Sequence, residues 1–272
     1  MSNAARTFLS TGSIALLSIF ALLPFYIMII MGTYQNEDLF TQIVILPGTY
    51  LLENLKTVAS SHFERVYMNS LIVSIISTIM SVFVSAFAGY SFAKYNFKYK
   101  NKIFAFVLFT MMIPGQLGLV AFVIEMRTLH LAGTLFPLIL PWVANAFGVF
   151  WMTQFIRSAI PNEVLESARI DGCSDIDIFF KIVLAFIYPA ITTLSLLVFL
   201  WSWNNYLLPL IVINKPELYT IPLGITSLGN AYRTDLAAQI LGLTIGTLPV
   251  LLLFAMGSKS FIRGLTAGSV KG

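Results

Sequence analysis

Six apolar runs divide this chain, at about 9–33, 69–93, 103–124, 134–156, 182–203 and 237–259, and none carries a charge in its central part. A helix needs roughly 20 apolar residues to cross the hydrocarbon core of a bilayer. Inside lipid every backbone N–H and C=O must be satisfied by the protein itself, which a helix does within one segment and an open strand cannot. The runs therefore predict an all-α membrane protein with six transmembrane helices. Composition agrees, since only 10% of the residues are charged, against about 25% in soluble domains. The first run is too long for a signal-peptide core and lacks a small-residue cleavage pattern, so it is expected to stay as a span.

The remaining composition excludes other classes. The net charge of +4 is spread between apolar runs and forms no continuous basic patch, which argues against nucleic acid as a partner. Cys173 is the only cysteine, so no intramolecular disulfide forms. His62 and His130 stand far apart without other ligand types beside them, and no metal site is expected. No cluster of nucleophile, base and orienting group suggests an enzyme. Gly257-Ser258-Lys259-Ser260 lacks the upstream glycines of a phosphate-binding loop.

Lysine and arginine set the expected orientation. With the N-terminus inside, 11 of the 16 basic residues fall on the inner side, among them Lys94, Lys98, Lys100, Lys102, Arg157, Arg169 and Lys181. Both termini are then cytoplasmic. So is the segment 160–182, which holds five of the twelve acidic residues: Glu163, Glu166, Asp171, Asp175 and Asp177.

That segment carries local folding signals. Pro161 suits a helix start, and Glu163 and Glu166 favour the positive end of the helix dipole. Gly172 suits a left-handed terminating residue. Ser174, with Asp177 three residues on, resembles a capping box for a second helix. The expected form is helix, glycine turn, helix. At about 100° per residue, Val164, Leu165, Ala168 and Gly172 fall on one narrow stripe, which would let another backbone approach, while Glu166 and Arg169 project from the other side. A surface helix lying on the membrane is the alternative, but such helices are usually lysine-rich, and an anionic leaflet would repel this acidic start.

Within the runs, Pro24, Pro114-Gly115, Pro137, Pro141 and Pro249 mark candidate kinks or breaks. Gly242 and Gly246 make a small-xxx-small pair suited to close helix contact. No inverted repeat of the kind used by secondary carriers is evident. The absence of ionisable residues in mid-span counts against an ATP-independent, ion-coupled carrier or channel, which stands as the alternative reading.

Several motifs together resemble a known family. Glu166-Ser167-Ala168, Asp171-Gly172, then Ile182, Leu184 and Pro189 resemble the "EAA" loop of ABC importer permeases. Further matches are Asn69-Ser70-Leu71, the run Ala88–Tyr95, Trp203-Asn204-Asn205-Tyr206 with Pro209, and Thr247-Leu248-Pro249-Val250. The terminal stretch from Gly264 to Gly272 is the most specific to one subgroup. The whole is similar to the smaller permease subunit of carbohydrate importers of the maltose-transporter type. Ser167, Cys173 and Ala185 depart from the family pattern, each with a small residue.

The resemblance implies a type I (MetI-like) ABC importer permease fold in a bacterial cytoplasmic membrane. It implies an N-terminal helix and outer loop over 1–66, a five-helix core over 67–262 with the coupling loop at 160–182, and a cytoplasmic tail at 263–272. It assigns coupling to an ATPase to Glu163, Glu166, Ser167, Ala168, Arg169, Asp171 and Gly172. Tail contacts with the ATPases fall to Gly264, Gly268, Lys271 and Gly272. The implied partners are a second homologous permease, two ATPase subunits and an extracytoplasmic sugar-binding protein engaging the loop 205–238. ATP and Mg would sit on the ATPase, with no cofactor on this chain. Trp142, Asn145, Trp201, Trp203, Asn204, Asn205 and Tyr206 are candidates for the sugar pathway, though aromatics near span ends also serve as interfacial anchors.

Overall fold

A computed structural model describes residues 3–41, 44–230 and 233–267, with backbone alone for 3–10, 229–230, 233–234 and 259–267. Four helical stretches are long and apolar enough to cross a membrane: Thr11–Met31, Phe63–Lys94, Phe136–Ala159 and Leu236–Ser258. Two further candidates are bent pairs, Lys100–Thr110 with Gly115–Thr128 at 87° and Asp175–Phe186 with Tyr188–Trp203 at 78°. The expected six segments are present, but those at 103–124 and 182–203 are not straight crossings.

Each bend has a local cause. Pro114 is extended, with φ −59° and ψ 120°, and offers no N–H to continue the helix ending at Thr110. In the second pair, Pro189 lacks the N–H that would bond the carbonyl of Ala185, and its ring displaces that carbonyl. The chain turns at Ile187, with φ −91° and ψ 6°, and restarts at Tyr188. Pro24 and Pro249, by contrast, lie inside continuous helices.

The helices, in chain order, are α1 (Asn3–Met31), α2 (Leu51–Ser60), α3 (Phe63–Lys94), α4 (Lys100–Thr110), α5 (Leu119–Thr128), α6 (Phe136–Val143), α7 (Ala146–Ala159) and α8 (Asn162–Ile170). They continue as α9 (Asp175–Phe186), α10 (Tyr188–Trp203), α11 (Leu207–Val212), α12 (Ile221–Ile225) and α13 (Leu236–Ala267). Helix α9 is π-helical over Ile178–Val183. A two-residue antiparallel pair, β1 (Gly229–Asn230) with β2 (Arg233–Thr234), joins α12 to α13.

The chain packs as two compact units. One comprises 1–65 with 221–248. There the side-chain amide of buried Asn54 donates to the carbonyls of Gly32 and Tyr34 at 2.9 and 2.8 Å, fixing α2 to the end of α1. The glycine pair expected to allow close contact does so: a Cβ on Gly246 would lie 3.0 Å from Ile221, and one on Gly242 3.4 Å from Ile225 and Leu228.

The other unit comprises 66–220 with 249–272. Its centre is a close crossing of α3 and α7. Gly89 of α3 faces Met152, where a Cβ would come within 2.5 Å of the Met152 Cβ, and Gly148 of α7 faces Ser85 just as tightly. Around this crossing lies a core of Met152, Ile156 and Ile160 with Ile178 and Val183 of α9, the turn residue Ile187, and Leu194 and Val198 of α10, all at most 1% exposed. Truncating one such side chain to alanine costs about 2–5 kcal/mol. A separate cluster of Val73, Leu138, Ile139, Leu208 and Ile213 packs α3, α6 and α11 together.

Candidate functional site

The segment 160–182 folds as helix, glycine turn, helix. Pro161, at φ −62° and ψ 146°, holds the chain extended just before α8. Glu163 stands in the first turn of α8 and Arg169 in the last, each matched to the sign of the helix dipole there. Gly172 has φ +85°, a conformation that costs an L-residue about 1–2 kcal/mol. Around it the Cys173 N–H donates to the Ala168 carbonyl at 3.0 Å and the Gly172 N–H to Arg169 at 3.1 Å. This is a complete Schellman closure of α8.

The next helix is tied down at once. The Asp177 N–H donates to Ser174 Oγ at 3.2 Å. The Asp177 carboxylate accepts from the Ser174 hydroxyl and from Lys181 Nζ, the latter at 2.6 Å. Arg169 spans the turn, donating through Nε and Nη2 to Asp175 Oδ1, both at 3.2 Å. Its guanidinium also lies 5.8 Å from the centre of the Tyr95 ring. At the other end, Lys94 Nζ donates to the Ile160 carbonyl and, at 2.8 Å, to Asn162 Oδ1. Exposed pairs of this kind contribute about 0.2–1 kcal/mol each, so the turn is held chiefly by its buried face.

That buried face corrects one expectation. Leu165 and Ala168 are 2% and 6% exposed, packed in the core with Ile160, Ile178 and Phe179. Leu165 and Ala168 of the apolar stripe are thus already covered by the chain's own core, while Val164 is half-buried and Gly172 stays exposed. Glu163, Glu166, Ser167, Arg169, Asp171 and Gly172 are exposed on the outer side. Two residues not singled out in the sequence join them, Ile170 at 86% and Ile176 at 69% exposed. Helical phase carries the signal for Ile170: it lies about 200° from Ala168, so burying Ala168 turns Ile170 outward.

The C-terminal candidates are only partly described. Helix α13 runs through Gly264 to Ala267. Gly268, Lys271 and Gly272 lie outside the described residues.

The sugar-pathway candidates separate by environment. Trp142 and Trp201 stack with ring centres 6.5 Å apart, and Trp201 meets Phe147 edge-on at 5.4 Å. Phe147 in turn stacks on Trp151 at 6.2 Å, and the Trp151 indole N–H donates to the Ala190 carbonyl. Trp201 is 40% exposed. Trp203 is 3% exposed, stacked on Phe199 and edge-on to Tyr67. Asn145 caps α7, accepting from the Gly148 N–H, and donates to Ser81. Asn204 donates back to the Leu200 carbonyl, and Asn205 accepts from the Leu208 N–H. The Asn204 and Asn205 amides serve the local backbone, that of Asn145 also ties α7 to α3, and Tyr206 is exposed. A cavity of about 650 Å³ is lined by Gln116, Glu125, Trp142 and Asn205 among others. Phe147 and Trp151 escaped notice in the sequence, although their four-residue spacing places both on one face of α7.

Comparison with known proteins accords with this architecture. Residues 81–263 match the family described as binding-protein-dependent transport system inner membrane component. The arabinooligosaccharides transport system permease protein AraQ of Bacillus subtilis is 37% identical over 212 residues, covering 78% of this chain and 75% of that protein. The AraQ of Halalkalibacterium halodurans is 32% identical over 98% of this chain and 97% of its own length. In fold, the chain superposes with a TM-score of 0.76 on a chain from the crystal structure of a bacterial ABC transporter involved in the import of the acidic polysaccharide alginate. The two share 22% identity, with 96% of this chain and 99% of that one covered. With its apolar spans and an alignment running almost end to end, the chain belongs to the inner-membrane components of binding-protein-dependent transport systems, as a multi-pass permease subunit of the cytoplasmic membrane.

Proposed function

We propose that this chain is one permease subunit of an ATP-driven importer of a sugar, an oligosaccharide in the first instance. The observation that carries this reading is the near full-length similarity to permeases of arabinooligosaccharide transport. In this reading a second, homologous permease completes the pathway, and an extracytoplasmic binding protein delivers the sugar. Two ATPase subunits hold ATP and Mg, while this chain performs no chemistry.

The loop 160–182 lies on the cytoplasmic side and presents Glu163, Glu166, Ser167, Arg169, Asp171 and Gly172 to an ATPase, with Ile170 and Ile176 as apolar contacts. Because Leu165 and Ala168 share a core with α7, α9 and α10, a push on the outer face of α8 moves those helices together. Closure of the ATPases then switches the permease pair between inward- and outward-facing states. The loop transmits that switch only by contacting the ATPase differently in the two states. Trp142, Trp201, Phe147 and Trp151 offer aromatic surface, which suits the apolar faces of sugar rings.

The test is co-purification followed by reconstitution. The chain is expected to bring an ATPase and a second permease with it, and the assembled complex to take up labelled oligosaccharide only with ATP and binding protein. Uptake by this chain alone in liposomes without ATP would overturn the assignment.

A further inference from the structure

A second site lies where α3, α4 and α7 end. Lys94, Lys100, Lys102 and Arg157 line a cavity of about 780 Å³, and none of its lining residues is acidic. Among the described residues, none of these four cations forms a salt bridge. Some of their donors cap helix ends: Lys100 Nζ donates to the Tyr95 carbonyl at 2.7 Å, and Arg157 to Phe92 at 3.4 Å. Lys94 Nζ likewise donates to the Ile160 carbonyl at the end of α7 and to Asn162, which leaves Lys102 unaccounted for by capping, its ammonium 5.6 Å from the centre of the Tyr99 ring. Lys100 and Lys102 occupy the first turn of α4, which contains no acidic residue and has no side-chain cap. The positive end of a helix dipole favours anions there, so two lysines raise the local energy unless a negative group enters. Local conflicts of this kind are expected at functional sites.

We infer that this cavity binds the phosphate of an anionic phospholipid. A lipid suits it better than an acidic protein surface because its rim continues into exposed apolar side chains along α4, Ile103 at 45%, Phe106 at 66% and Phe109 at 58%. Those would lie along acyl chains. Tyr99 and Phe97, 57% and 40% exposed, stand at the rim as interfacial aromatics do. The cavity wall includes Pro161 and Asn162, the root of α8. A bound headgroup therefore braces the start of the loop that the proposed function assigns to coupling. The binding itself rests only on the membrane location.

The test uses the assembled complex in nanodiscs of phosphatidylcholine, with and without phosphatidylglycerol, and reads retained lipid by native mass spectrometry. The wild type is expected to retain phosphatidylglycerol in preference to phosphatidylcholine. Lys100→Gln/Lys102→Gln/Arg157→Gln is expected to lower that retention about a hundredfold, and Lys100→Arg/Lys102→Arg to preserve it. Should the triple variant fail to assemble, Lys102→Gln alone, whose ammonium lies over the Tyr99 ring, is expected to lower retention in part. Equal retention of the two lipids, or unchanged retention in the variants, overturns the inference. So does displacement of phosphatidylglycerol by millimolar inorganic phosphate, which would assign the cavity to a free anion. Loss of the ATPase from the variant with lipid retention intact would assign it to a protein surface instead. Absence of an ATPase from the wild type would overturn the coupling reading while leaving lipid retention to be measured.

Discussion

Replacing Gly172 separates backbone geometry from partner contact. A Cβ at this position meets nothing within 4 Å in the chain itself, so the intramolecular cost is conformational alone. Holding an L-residue at φ +85° costs about 1–2 kcal/mol, more for a β-branched side chain, whereas asparagine visits this region readily. A penalty of that size lowers the population of the closed turn about 5- to 30-fold. It acts on two backbone hydrogen bonds at the end of α8 and leaves the core around Ile156 and Ile178 intact. Membrane levels of Gly172→Asn, Gly172→Ala and Gly172→Val should therefore match the wild type, as read by quantitative blotting of membrane fractions. Sugar uptake and sugar-stimulated ATP hydrolysis in proteoliposomes should fall in the order Asn, Ala, Val, with Val abolishing both. Normal uptake by Gly172→Val would refute the coupling role. If Asn were as damaging as Val, side-chain volume against a partner would be limiting, and the backbone explanation would fail.

Other positions give sharper contrasts. Gly148→Val forces atoms into Ser85 at the α3–α7 crossing; it should cost about 1–3 kcal/mol or more by overpacking and lower the melting temperature of the purified complex. Ile170→Asp changes an 86% exposed side chain, so its membrane level should be unchanged while recovery of the ATPase drops; undiminished recovery would remove Ile170 from the interface. Trp203→Ala should destabilise by about 3–5 kcal/mol, detected as loss of folded protein. Trp201→Ala should keep the protein folded and raise the sugar concentration needed for half-maximal uptake.

Much of the loop 160–182 was legible in the sequence because its signals are local. Gly172 at the turn, Ser174 as cap and Asp177 three residues later act over a single helical turn, and the structure uses each in that way. Direction was less legible. Val164, Leu165 and Ala168 form a stripe visible in the sequence, but which surface covers it depends on Ile160, Ile178 and Phe179, brought there by α7 and α9. The tryptophans divide on the same ground. Trp201 and Trp203 lie two residues apart on α10, and only the packing of Phe199 and Tyr67 decides which is buried.

The sequence by itself determined the six apolar segments, the membrane as their solvent and the helix–glycine–helix form of the charged loop. Hydrophobic length, helix capping and left-handed glycine geometry are properties of contiguous residues. Tertiary structure alone decided the inward face of α8 and the gathering of Lys94, Lys100, Lys102 and Arg157 around one cavity. Those outcomes depend on which helices meet, a competition for buried apolar contact among residues tens of positions apart.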